Sequence, residues 1–235
     1  MTPHVDDNLV SLTAPASLAA EQYLGLRLKI ERLRQTSDVR VIAITSPGAG
    51  DGKTLTSINL AAAMAGDSAH RILLVDADLR SPSVEAHLGL GDRTVAGVAD
   101  AIADPSIALA DIIQRPAHLG FAVVSAGRAA VSPYQVLRSP RLEALLQEAR
   151  AQFDFVLIDT PPLAPVFDAA VLSQSVDGLL VVVAAHRTPR KLLEEALNLL
   201  DPAKVLGIVF NKDTRPMFGR YDSYYRRYFG ARTTP

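Results

Sequence analysis

Apolar runs of strand length alternate with longer stretches in which apolar residues recur every three or four positions. The runs are "VRVIAIT" (39–45), "RILLVDAD" (71–78), "FAVVSAG" (121–127), "FDFVLIDTPP" (153–162), "DGLLVVVAAH" (177–186) and "KVLGIVFNK" (204–212). Helical spacing marks 18–35, 53–65, 95–104, 139–152, 168–176 and 189–200. Ser17 and Ser139 stand where helix caps are expected. Strands apolar throughout are buried on both faces. The pattern therefore predicts one α/β domain with a mostly parallel sheet and helices on both faces. In such folds ligands bind at the carboxyl ends of the strands. The boundaries expected are a loosely ordered arm at 1–17, the domain at 18–212 and a tail at 213–235.

The first run ends in "TSPGAGDGKT", followed by a helix. Gly48, Gly50 and Gly52 let backbone N–H groups curl around phosphate oxygens, and the helix start adds a favourable dipole. Over Gly48, Ala49, Gly50, Asp51, Gly52, Lys53, Thr54 and Leu55 this reads as a P-loop for a nucleoside triphosphate. Lys53 would reach the outer phosphates and the Thr54 hydroxyl would ligate magnesium. The strict pattern fails only at its first glycine, where Pro47 stands. A proline there stiffens the turn at no loss if its amide is not a phosphate contact.

Matching acids lie at two other strand ends. "LLVDADLR" carries Asp76 and Asp78, two residues apart and so pointing the same way. "VLIDTPP" carries Asp159. Thr54, Asp76 and Asp159 form the expected magnesium set. Asp78 is the candidate for orienting or deprotonating an incoming hydroxyl, although spacing alone does not separate its role from that of Asp76. Arg80 either neutralises phosphate charge or pairs with an acid.

Composition narrows the class. The chain of 235 residues has no cysteine, which excludes thiol catalysis, disulfides and cysteine metal sites. Its net charge of −1 argues against nucleic acid as a partner. The apolar runs are too short to span a membrane, and the N-terminus lacks the pattern of a signal peptide. Residues 211–235 hold six basic and two acidic residues, a net +4, leaving −5 on the other 210. Four tyrosines, Tyr221, Tyr224, Tyr225 and Tyr228, are interleaved with arginines in that tail.

Together, "TSPGAGDGKT", "ILLVDADLRSP", "FDFVLIDTPP", the stretches "SAGRAAVSPYQVLRSPRLEALL" and "VFDAAVLSQSVDGLLVVVAAHRTPRKLLEEAL", and the tyrosine-rich tail resemble the bacterial tyrosine kinases of capsule and exopolysaccharide synthesis, in the form where the kinase is a separate chain. The resemblance implies ATP and Mg2+ as cofactors and transfer between subunits onto Tyr221, Tyr224, Tyr225 and Tyr228. It also implies a homo-oligomer while unphosphorylated. The partner implied is the cytoplasmic end of a membrane-anchored polysaccharide co-polymerase, which would keep the chain cytoplasmic and peripheral to the membrane. There are departures: "VSP" replaces the family's "PNP", and "EQYLGLR" keeps Glu21 and Arg27 of a ring-forming helix motif but has Leu24 in its middle.

Two other readings fit a P-loop chain. One is a positioning or partition ATPase switched by ATP, although that branch carries an early loop lysine absent from Pro47-Gly48-Ala49. The other is a nucleotide-binding scaffold without kinase activity, against which stands the retention of Lys53, Thr54, Asp76, Asp78 and Asp159.

Overall fold

A computed structural model describes residues 5–66, 70–90, 95–128, 132–164 and 168–213. Seven strands form one sheet: β1 Val41–Thr45, β2 Ile72–Asp76, β3 Ile113–Gln114, β4 Ala122–Val124, β5 Phe155–Asp159, β6 Gly178–Ala184 and β7 Val205–Asn211. The helices are α1 Val10–Thr13, α2 Leu18–Ser37, α3 Lys53–Gly66, α4 Val84–Leu88, α5 Val98–Ala103, α6 Leu109–Ile112, α7 Pro133–Leu137, α8 Pro140–Gln152, α9 Asp168–Leu172 and α10 Arg190–Leu197. The strand order is β3-β4-β2-β5-β1-β6-β7. Every pairing is parallel except that of β3 with β4. Two-residue β3 was not foreseen, because it is too short for a periodic signal.

The apolar runs are buried on both faces, and alternate residues enter separate cores. Val41 and Ala43 join the side covered by α5 to α10, whereas Ile42 and Ile44 join the side covered by α1 to α4. The expected caps are present: Ser17 accepts a hydrogen bond from the Ala20 amide and Ser139 one from the Arg141 amide.

The described part of the N-terminal segment differs from the expected loose arm. Leu9 is fully buried against the α3 side of the sheet. Asn59 of α3 donates to the Asn8 carbonyl and accepts from the Ser11 amide. The Asp6 amide donates to the His87 carbonyl, and the Asp6 carboxylate lies 2.8 Å from His87 Nδ1. Polar composition hid one apolar anchor and a set of side chains that satisfy its backbone. Residues 214–235, with Tyr221, Tyr224, Tyr225 and Tyr228, lie outside the described residues.

Register fixes where the chemistry sits. Ile44 and Asp76 both pair with Asp159, so the last residues of β1, β2 and β5 finish side by side. The loop from β1 to α3 covers that edge. Among the described residues no helix is long and apolar enough to cross a membrane.

Candidate active site

Lys53 and Thr54 open α3, directly over the ends of β5 and β2. Lys53 Nζ lies 2.7 Å from Asp78 Oδ2 and 3.6 Å from Asp159 Oδ2. Thr54 Oγ1 donates to Asp159 Oδ2 at 2.7 Å, and Ser57 Oγ, one turn on, to Asp159 Oδ1 at 3.1 Å. Asp76 is held by three backbone amides, those of Asp78, Ser83 and Val84. Lys53, Thr54, Asp76, Asp78 and Asp159, far apart in sequence, thus meet at one sheet end.

The charges there are unbalanced. Burial and the neighbouring Asp159 push the Asp76 carboxyl up to about 7. Burial also raises Asp159, which is enclosed completely, although Lys53 and two hydroxyls oppose the shift. Burial pulls the Lys53 ammonium down, but Asp159 and Asp78 outweigh it and leave it raised. Three carboxyls against one ammonium is an arrangement that a divalent cation would relieve. The donors suit magnesium, which takes a hydroxyl and one or two carboxylates and completes its shell with water and phosphate oxygens. Among the described residues no group of three or more His, Cys, Asp or Glu converges as a protein-only cage, and such a shell does not require one.

The loop is built for close backbone approach. Gly50 (φ 82°) and Gly52 (φ 95°) occupy the left-handed region. The Asp51 side chain turns away from the cradle. It accepts from the Gly48 amide at 3.0 Å, from Thr188 Oγ1 at 2.6 Å and from the Ala184 amide at 3.4 Å. Two expected phosphate contacts therefore have other duties: the Gly48 N–H is engaged within the loop, and the Asp51 carboxylate anchors the loop to the end of β6. The Leu55 side chain packs against the core on the α3 side. Pro47 contributes its carbonyl, which accepts from the Ala164 amide.

A second anchor comes from β7. Asn211 Nδ2 donates to the Asp51 carbonyl at 3.0 Å, and Lys212 Nζ to the Gly50 carbonyl at 2.7 Å. A Cβ on Gly52 would collide with the Asn211 amide. Sequence reading missed Thr188, Asn211 and Lys212 as loop supports. The Asn-Lys pair at a strand end was the available signal.

Arg80 pairs with an acid. Its Nε donates to Asp168 Oδ2 at 2.6 Å and its Nη2 to Oδ1 at 3.2 Å. The buried Asp168 carboxylate raises the guanidinium further, and the Arg80 side chain stays 45% exposed. Arg27 of the N-terminal motif turns inward, to Glu31 and the Ala63 carbonyl of α3.

Residues 39–201 match the AAA domain family AAA_31. The tyrosine-protein kinase YwqD of Bacillus subtilis is 32% identical over 219 residues, 92% of this chain and 91% of that protein. The tyrosine-protein kinase CpsD of Streptococcus agalactiae is 31% identical over 80% of this chain and 82% of its own length. The succinoglycan biosynthesis transport protein ExoP of Rhizobium meliloti is 33% identical over 94% of this chain, which spans only 29% of that larger protein. Among solved structures, the kinase domain of the Escherichia coli tyrosine kinase ETK superposes with a TM-score of 0.82 at 27% identity, covering 93% of this chain and 85% of that one. The cell division ATPase MinD of Pyrococcus furiosus superposes less closely, with a TM-score of 0.60 at 27% identity over 75% of this chain and 73% of its own. The sheet, the loop and the carboxylates at its edge are those of a P-loop nucleotide-binding enzyme, and the chain belongs to the bacterial tyrosine-protein kinase family.

Proposed function

We propose that the chain is an ATP- and Mg2+-dependent protein-tyrosine autokinase that phosphorylates Tyr221, Tyr224, Tyr225 and Tyr228 of a neighbouring copy and thereby regulates capsule or exopolysaccharide assembly. The observation that carries this is the convergence of Lys53 on Asp78 at 2.7 Å and on Asp159 at 3.6 Å, with Thr54 hydrogen-bonded to Asp159, in a chain of this family. Phosphoryl transfer depends mainly on positioning and charge neutralisation. Thr54, Asp159 and Asp76 would hold the metal. Magnesium, when bound, would supply neutralisation of the charge on the transferring phosphoryl group. The Gly50–Thr54 backbone would cradle the phosphates.

Lys53 then has two anions to choose between. One is Asp78, with which it pairs at 2.7 Å; the other is the triphosphate. A triphosphate offers more charge, so Lys53 swings to it and Asp78 is left without its cation. A carboxylate so released is a base. It takes the phenolic proton as the tyrosine oxygen bonds to the γ-phosphorus and the bond to the β,γ-bridging oxygen breaks, releasing ADP. Each phosphate adds about −1.5 to −2 charge, so two nearly cancel and three reverse the tail's +4. Such a reversal would release tail contacts with acidic partners and loosen an oligomer. A membrane-anchored partner fits the relatives: ExoP is named a transport protein, and CapA2B2 is described as chimerical. With that partner the chain would work at the inner face of the membrane.

The test is incubation with ATP and Mg2+, with and without the cytoplasmic end of the cognate membrane protein, followed by mass spectrometry. Phosphate on the tail tyrosines is expected. Continued ATP turnover with an unmodified tail in both conditions would sink the kinase reading and favour the ATP-switched reading that the MinD likeness keeps open.

A further inference from the structure

The chain has six tyrosines, four of them at 221–228. Of the other two, Tyr23 lies against α3, where burial raises its hydroxyl pKa against the opposing pull of Thr56 and Asn59. Tyr134 is the opposite case. It stands on α7 with 48% of its surface exposed. Arg138, one turn on, donates from Nη1 to Tyr134 Oη at 2.7 Å, and its guanidinium carbon lies 5.4 Å from the ring centre. The hydroxyl is therefore presented at the surface with a cation already beside it.

Position and charge give this tyrosine a use. Helix α7 packs against α9, whose first residue, Asp168, grips Arg80 two residues beyond Asp78. Tyr134 thus stands on the helix next to the one whose Asp168 holds Arg80. From Ala126 to Leu142 the chain carries three arginines and no acid, although Arg141 pairs with Glu148, while the site gathers the buried carboxylates Asp76, Asp78 and Asp159 around a single lysine. A basic segment bearing an exposed tyrosine complements that acidic site, as the arginine-flanked tail tyrosines do.

We propose that Tyr134 is a further phosphoacceptor, modified by the active site of a second copy of this chain. The proposal rests on the autokinase reading. Tyr134 Oη bonds to the γ-phosphorus of ATP held by the second copy. The γ-phosphorus to bridging-oxygen bond breaks, ADP leaves, and the phenolic proton passes to that copy's Asp78. Arg138 then exchanges a neutral partner for a phosphate, which is the stronger, charge-assisted contact.

The experiment uses four full-length chains: wild type, Tyr134→Phe, a variant with Phe at 221, 224, 225 and 228, and Lys53→Met. Each is incubated with ATP and Mg2+ together with the membrane partner's cytoplasmic end, and phosphotyrosine is mapped by mass spectrometry. Phosphate on Tyr134 in the wild type and the tail variant, absent from Lys53→Met, is the expected result. Tyr134→Phe should still label its tail. A labelled tail beside an unmodified Tyr134 overturns this proposal and leaves the autokinase reading standing. Phosphate nowhere overturns both. Equal labelling of Tyr134 in Lys53→Met overturns the proposal by showing that another kinase put it there.

Discussion

Lys53 and Asp78 pair at 2.7 Å, and the proposed mechanism gives each a different partner during transfer. Asp78→Asn should therefore separate two properties. Transfer to tyrosine should fall by about 10²–10⁴-fold, the scale of a lost general base. ATP affinity, read by calorimetry, should hold or tighten, because Lys53 is freed; a matching loss of affinity would instead assign Asp78 to holding the nucleotide or metal. A second test concerns Thr188, whose hydroxyl donates to Asp51 at 2.6 Å. Thr188→Val leaves the buried Asp51 carboxylate short of a donor, an expected loss of about 1–2 kcal/mol, or roughly tenfold in nucleotide Kd. Thr188→Ser should restore binding. Equal loss in both variants would mean that the methyl group, not the hydroxyl, supports the loop.

At the scale of elements, α1 and its flanks are a docked part of the fold. Leu9 is fully buried, so Leu9→Ala should cost about 2–5 kcal/mol by the usual range for such a truncation. Urea unfolding measures it, and a cost below about 0.5 kcal/mol, typical of surface positions, would place the segment outside the cooperative core. The contrast with the strands shows what a sequence can carry. β1, β2 and β5 are apolar up to their last residue and β6 throughout, and their run length announces them. The Lys53, Thr54 and Asp159 trio is equally plain, because its loop and strand-end pattern is local. Asn211 and Thr188 are not plain. They act on a loop more than 130 residues earlier, through hydrogen bonds created only when β6 and β7 line up beyond β1. Leu9 is similar, a lone apolar residue whose partners are assembled by the tertiary fold.

For the whole molecule, the amino ends of the strands are fastened separately from the site. Asp154, at the start of β5, accepts from the Arg71 amide and guanidinium and from Arg34 of α2. Burial alone would raise its carboxyl, but these donors outweigh it and hold it down at about 2, below the ordinary 3.8. A depressed carboxylate pKa means that the unfolded chain binds the proton more readily. The stability it gives is present above pH 4 and is lost as pH falls from about 4 towards 2. Roughly 1 kcal/mol is expected after solvent screening. Asp154→Asn should lower Tm at pH 6 and flatten its fall below pH 4; an unchanged acid limb would assign that limb to other carboxylates.

The clasp from Asn211 and Lys212 onto the phosphate loop has a practical consequence. The tail begins within two residues of side chains that support the loop. Where the chain is cut to remove the acceptor tyrosines therefore matters. Ending it after Asp213 removes the proposed acceptors and keeps Asn211 and Lys212. Ending it after Val209 also removes the hydrogen bonds to the Asp51 and Gly50 carbonyls, and the resulting silence would be mistaken for lack of acceptors. The two cuts, compared on an added tyrosine peptide, should differ: the first remains a kinase and the second does not.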